Sequence, residues 1–164
     1  MGYKLRVIII LELMTNLPNE RFHVGVYGIL INDGKILLIK KARGAYKGMF
    51  DLPGGGIEFG EKVEETLKRE FIEETGLVLN SYSFLGNNEY FCDYINESDE
   101  PRKLHHLGLY YIVSATSENI KSDGDGQDSL GAEFVDIKKL DNVEIAPIAP
   151  IARVVIDRVI ENII

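Results

Sequence analysis

Six glutamates fall between residues 61 and 74 (Glu61, Glu64, Glu65, Glu70, Glu73 and Glu74), against the cations Lys62, Lys68 and Arg69. The stretch Glu61–Thr75 has neither Gly nor Pro and ends at Gly76, so it reads as one helix with a glycine C-cap. At about 100° per residue, Val63, Leu67 and Phe71 make an apolar stripe, with Glu70 and Glu74 on the same side. Glu73 lies about 60° from Glu70 on the other flank. An unpaired carboxylate beside a core-facing stripe costs several kcal/mol or takes up a proton. A bound cation removes that cost, and clustered oxygen donors suit a hard divalent ion, Mg²⁺ or Mn²⁺. The same residues also fit a solvated acidic helix with Arg69 and Glu73 paired at i,i+4. The helix alone does not choose between them.

The elements around that helix are legible from patterning. Tyr3–Met14 and Phe22–Ile31 read as strands, and Asn32-Asp33-Gly34-Lys35 as a hairpin turn leading into a strand at Ile36–Ile39. Lys40, Lys41, Arg43 and Lys47 form a basic loop ahead of a short extended piece, Phe50–Leu52, which stops at Pro53-Gly54-Gly55-Gly56. Strands follow at Leu77–Leu85, Glu89–Asp93, His106–Ala115 and Glu133–Ile137, with polar loops at Asn96–Lys103 and Asn119–Gly131, the latter acidic and mobile. After an extended connection at Ile145–Pro150, apolar residues from Ile151 to Ile163 recur at helical spacing. Strands with two well-separated helices indicate the α/β class, a sandwich around a mixed β-sheet in one domain spanning 1–164.

Composition narrows the partners. The net charge is −8 with a pI near 4.9, which repels a nucleic-acid backbone. A small phosphorylated ligand meets the same repulsion unless cations mediate its contact. The single cysteine, Cys92, excludes an internal disulfide and fits a half-buried strand position in a reducing compartment. The apolar run Val7–Leu11 is too short for a signal core or a membrane span, so the expected location is the cytoplasm. The basic loop is the place for phosphate contact, with Arg43 the first choice and Tyr46 beside it able to stack on a base; a plain exposed loop is equally compatible. His105 and His106 are adjacent on a strand and point to opposite faces, so neither is given a role, and His23 is read as structural.

The pattern Gly55-x5-Glu61-x7-Arg69-Glu70-Phe71-x-Glu73-Glu74-x-Gly76-Leu77 resembles the box of the Nudix hydrolases, MutT-like members included, at every fixed position. Phe71 stands where the family usually has an aliphatic residue. The resemblance covers 23 residues, and Gly48-Met-Phe-Asp-Leu-Pro-Gly-Gly looks like the family's approach to them. It implies a Nudix-type α/β/α sandwich and metal-dependent hydrolysis of a phosphoanhydride in a nucleoside di- or triphosphate or a nucleoside diphosphate derivative. It further implies Glu70, Glu73, Glu74 and the Gly54 carbonyl as metal ligands, and Glu70 or a nearby acid as the base. Arg69 would orient the glutamates, while Glu61 is read as a helix-dipole residue.

A further acid is expected before the late strand. Asp123, Asp125, Asp128 and Glu133 compete, and Asp128, six residues ahead of Phe134, fits the MutT-like spacing best. The position where a Pro marks ADP-ribose hydrolases holds Cys92, and the Tyr that marks dinucleoside polyphosphate hydrolases coincides with Tyr94. The rival class is a non-catalytic domain of this family that senses a nucleotide. The expected partner is a small-molecule nucleotide, with no nucleic acid and no membrane; a homodimer stays open. Duplex DNA should therefore not bind appreciably at physiological salt in an anisotropy titration. Tight, salt-sensitive binding would contradict the charge argument.

Overall fold

The computed structural model describes residues 19–115, 120–124, 126, 129–146 and 156–157. The strand expected at Tyr3–Met14 lies outside them, as does the C-terminal helix apart from Ile156 and Asp157. The elements run β1 (Glu20–Ile29), β2 (Ile31–Asn32), β3 (Lys35–Lys41), β4 (Phe50–Asp51), β5 (Gly54–Gly56), α1 (Val63–Thr75), β6 (Leu79–Ile95), β7 (Pro101–Ala115), β8 (Ser129–Asp136) and a 3-10 helix (Ile137–Asn142).

The α/β class holds, with two four-stranded sheets where one was expected. One has the order β5-β1-β7-β6, and the other runs β2-β3-β4 with β8 beside β3. Pairing is mixed: β1 and β7 are parallel, while β5 and β6 are antiparallel to their neighbours. The tight hairpin forms as read, because Asp33 and Gly34 take φ of 48° and 72°, the left-handed values such a turn needs.

Side chains alternate across the strands and so feed two cores. Tyr27, Ile29, Ile36, Leu38, Leu52 and Tyr110 pack with Ile137, Leu140 and Ile156 on one side. Val26, Leu37, Ile39, Tyr111 and Val113 pack with Leu67 and Phe71 of α1 on the other.

Three boundaries differ from the sequence reading for identifiable reasons. The strands expected at Leu77–Leu85 and Glu89–Asp93 merge into one of 17 residues, β6, which begins at Leu79. The Gly86-Asn87-Asn88 stretch that reads as a break is absorbed as a register shift between Phe84 and Gly86. The polar loop Asn96–Lys103 shrinks to a tip, because the Asn96 side chain accepts from the Ser98 and Glu100 amides and β7 starts at Pro101. The glycines after Pro53 form a strand rather than only a turn, with Gly54, Gly55 and Gly56 opposite Tyr27, Val26 and Gly25. The acidic segment after Asn119 is tied down where it is described: the Lys121 amide donates to Thr75 O at 2.9 Å, and the Ala132 amide to Lys121 O at 3.0 Å.

The helix sits close against β1. Phe71 is fully buried, and a methyl group on Gly28 would overlap its ring. Gly28→Ala should cost about 1–3 kcal/mol in urea unfolding through overpacking. Combined with Phe71→Leu it should cost less than the sum of the two single changes, because the smaller side chain gives back the space.

Candidate active site

The helix that carries the glutamates starts at Val63, with Lys62 as N-cap and Glu65 reaching back to the Lys62 amide at 3.0 Å. Its C-cap is Gly76 at φ 74°. Between these ends the stripe argument is met: Leu67 and Phe71 are buried, and Glu74 is 1% exposed.

Glu74 is held from one side only. Its Oε2 accepts from the Gly54 amide at 2.8 Å, whereas Oε1 finds no hydrogen-bond partner among the described residues. The nearest cation to Oε1 among the described residues is the Lys41 ammonium, 3.6 Å away and too far for a hydrogen bond. Burial pushes Glu74 up to about 8 despite the opposing pull of Lys41. Gly54 must be glycine, because at φ 145° a side chain would overlap the Val26 carbonyl.

Arg69 organises the other carboxylates. Its Nη1 donates to Glu70 Oε1 at 2.7 Å and to Glu73 Oε2 at 3.2 Å. Its Nε and Nη2 hold Glu61 at 2.9 and 3.0 Å, and Nη2 also reaches Gly56 O at 3.2 Å. Glu61 is thus more than a helix-dipole residue. It lies ahead of the helix and accepts from Arg69 and from Thr66 Oγ1 at 2.7 Å, which brings its carboxyl down to about 2. Glu70, mostly buried, is raised by desolvation against the pull of Arg69. Gly55 packs on its carboxylate so closely that a methyl group there would overlap it.

The three carboxylates differ in their settings. Glu73 is 52% exposed, and no group of three or more acidic, His or Cys side chains is poised to hold a metal among the described residues. The reason is geometric: the fork of Arg69 draws Glu70 and Glu73 to itself. The donors nevertheless suit a hard cation, since a buried carboxylate oxygen without a hydrogen-bond partner lies at the foot of a glycine strand.

Beside this foot opens a cavity of about 410 Å³ lined by Lys41, Arg43, Tyr46, Asp51, Gly55 and His106, among others. Arg43 and Tyr46 are thus brought to the site. Of the other basic-loop residues, Lys47 is exposed and Lys40 lies 6.0 Å from the Phe50 ring centre. His106, given no role from sequence, is buried, with Nε2 2.9 Å from the Tyr27 hydroxyl and Nδ1 3.4 Å from that of Tyr46. Desolvation holds it down to about 4, hence neutral. His23, read as structural, also lines the cavity. Asp51 was missed as well, although a carboxylate inside an apolar strand just before Leu-Pro-Gly-Gly was a usable signal. Burial pushes it up to about 6, with Lys41 and the Leu52 amide opposing.

Asp128 and Asp125 lie outside the described residues. Asp123 is exposed on a turn, and Glu133 is exposed on β8 opposite Leu38, which belongs to the core on the side away from α1. Cys92 is half-buried on β6, as read.

Residues 21–159 match the family model of the NUDIX domain. An ADP-ribose pyrophosphatase of Methanocaldococcus jannaschii is 40% identical over 117 residues, which are 71% of this chain and 63% of that protein. A nucleoside triphosphatase NudI of Escherichia coli is 50% identical over 50 residues, 29% of this chain and 36% of that one. The chain therefore spans less than two thirds of the length of either relative. In fold it is similar to a MutT NUDIX hydrolase from Burkholderia pseudomallei (TM-score 0.58, 24% identity, 84% of this chain and 97% of that one). It is also similar to the NUDIX domain of Shewanella oneidensis NrtR complexed with ADP ribose (TM-score 0.62, 16% identity, 94% and 98%).

The raised carboxyl of Glu74 has a consequence for stability. Its folded value near 8 exceeds the ordinary 4.5, so the folded state holds this proton more tightly, and stability is lost as pH rises through that window. Asp51 acts in the same sense up to about 6, and His106 in the opposite sense between about 4 and 6.5. Above pH 6.5 only Glu74 of these three still changes charge. Chelator-treated protein should lose stability between pH 6.5 and 8, by at most about 1.4 kcal/mol per pH unit, and Glu74→Gln should flatten the slope. Urea midpoints at four pH values check it.

Proposed function

The chain belongs to the NUDIX domain family, and from that premise we propose that it hydrolyses a phosphoanhydride bond in a small nucleotide, with help from a divalent cation. The observation that carries this reading is the buried, half-satisfied carboxylate of Glu74, set beside a cavity that Lys41 and Arg43 line. Stability alone does not favour such an oxygen, and a cation there satisfies it.

Glu74, Glu70, Glu73 and the Gly54 carbonyl are the groups that would hold Mg²⁺ or Mn²⁺. When bound, the ion neutralises phosphate charge and acidifies water. The protein's own residues do the rest. Arg69 occupies Oε1 of Glu70, which leaves Oε2, lying against Gly55, to accept a proton from the attacking water. The desolvation that raises Glu70 makes it a better base than an exposed carboxylate. Arg43 and Lys41 bind the phosphates, and Tyr46 packs against the base or ribose. Among acids outside the helix, Asp128 keeps its proposed part on its spacing, since Glu133 is exposed on β8.

The substrate class is a nucleoside di- or triphosphate or a nucleoside diphosphate derivative. ADP-ribose and nucleoside triphosphates come first, from the names of the two relatives. A single half-buried cysteine in an acidic chain fits the cytoplasm, and no described helix is long and apolar enough to cross a membrane.

A screen of nucleotides for phosphate, pyrophosphate or nucleoside monophosphate release tests the reading. Turnover should vanish in excess chelator and return with Mg²⁺ or Mn²⁺. Glu70→Gln and Glu74→Gln should each lower kcat at least about 100-fold. Turnover that survives in both variants and in chelator would overturn hydrolysis by this site. Nucleotide binding without turnover would favour a sensing domain.

A further inference from the structure

We propose that Lys41 is the resident counter-ion of Glu74, which yields that carboxylate to an incoming divalent cation and turns to the phosphates of the substrate. The inference rests on the proposed metal site and adds a residue that competes for it.

Lys41 ends β3, where the pairing with β8 shifts register between Ile39 and Lys41. Ile39 packs into the α1-side core, and Lys41, two residues on, reaches the same side with its ammonium 3.6 Å from Glu74 Oε1. Its backbone is clamped twice to the Gly48–Met49 segment, the Lys41 amide donating to Met49 O at 2.9 Å and the Gly48 amide to Lys41 O at 2.9 Å. The position is held by the fold, and the long side chain can still pivot. That side chain is 16% exposed and lines the cavity, so a short movement turns it from Glu74 towards a ligand.

The surroundings make the ammonium replaceable rather than permanent. At 3.6 Å it forms no hydrogen bond, and Glu74 Oε1 is left with its lone pairs open. Arg69, which organises the other helix carboxylates, is spent on Glu61, Glu70 and Glu73. Lys41 is therefore the opposing charge that Glu74 feels most, and Asp51 and Glu70 feel it too. A dication on Oε1 and an ammonium within about 4 Å of it repel strongly at the reduced dielectric of a buried site. The two cannot share the oxygen, so arrival of one displaces the other. The anion that follows the metal into the cavity then offers the freed ammonium a new partner.

Mn²⁺ binding to the substrate-free protein, measured by calorimetry, tests this without turnover. Lys41→Met should bind Mn²⁺ at least about tenfold more tightly than wild type, because the competing charge is gone, and Lys41→Arg should stay within about threefold. Glu74→Gln should weaken binding at least about tenfold. In the wild type, labelling of Lys41 by an amine-reactive reagent, read by peptide mass spectrometry, should rise on Mn²⁺ saturation while that of Lys68 does not. Unchanged or weaker Mn²⁺ binding in Lys41→Met, with Glu74→Gln still impaired, overturns the competition and leaves the metal site standing. Wild-type Mn²⁺ affinity in Glu74→Gln overturns the metal site itself. If Lys41→Met does not fold, the labelling decides: constant Lys41 reactivity sinks the proposal.

Discussion

A carboxylate buried under a helix with one of its oxygens unsatisfied is the constraint around which this molecule is arranged. Left alone, Glu74 would cost several kcal/mol or sit protonated. The Gly54 amide satisfies Oε2, and Lys41 stands off from Oε1. Neither completes the shell. The strand β5, the end of β3 and the last turn of α1 therefore converge on one atom that no hydrogen bond satisfies.

That convergence depends on how closely backbones approach one another. Gly54 and Gly55 let β5 lie against both β1 and the carboxylates of α1, and Gly28 lets the Phe71 ring sit on β1. A side chain at any of the three would push the helix outward or strain the strand. Phe71, the residue that departs from the family's usual aliphatic choice, is accommodated by a glycine across the sheet. The pairing is local and physical: the larger ring takes the space where a Cβ would stand.

Arg69 keeps electrostatic order among the other carboxylates. One guanidinium touches three carboxylates and a carbonyl, and it fixes the directions in which Glu61, Glu70 and Glu73 point. Glu74 is outside its reach and has its own cation. The acidic excess of the chain is thus divided between an arginine that holds its partners by hydrogen bonds and a lysine that only faces one. Neutral His106, between two tyrosine hydroxyls, lines the cavity with polar groups that add no further charge.

The linear sequence sufficed for the helix, its glycine cap, the Asp33-Gly34 hairpin and the buried side of Glu74, because each follows from short-range periodicity or from a residue's own φ preference. It also sufficed for the family, because the spacing from Gly55 to Leu77 joins a close-approach glycine to glutamates on a single helix. What tertiary structure alone decided lies at larger separations. The glycines after Pro53 became a strand because β1 offered a partner edge, and two apparent strands became β6 because β7 runs beside them for their whole length. Glu61 was taken up by Arg69, a pairing across the start of the helix that no helical period predicts. Lys41, Asp51, Tyr27 and His106 meet at one cavity although up to 79 positions separate them. A sequence shows which residues can bear charge, but burial and neighbours set what that charge does, and those exist only once the strands have paired.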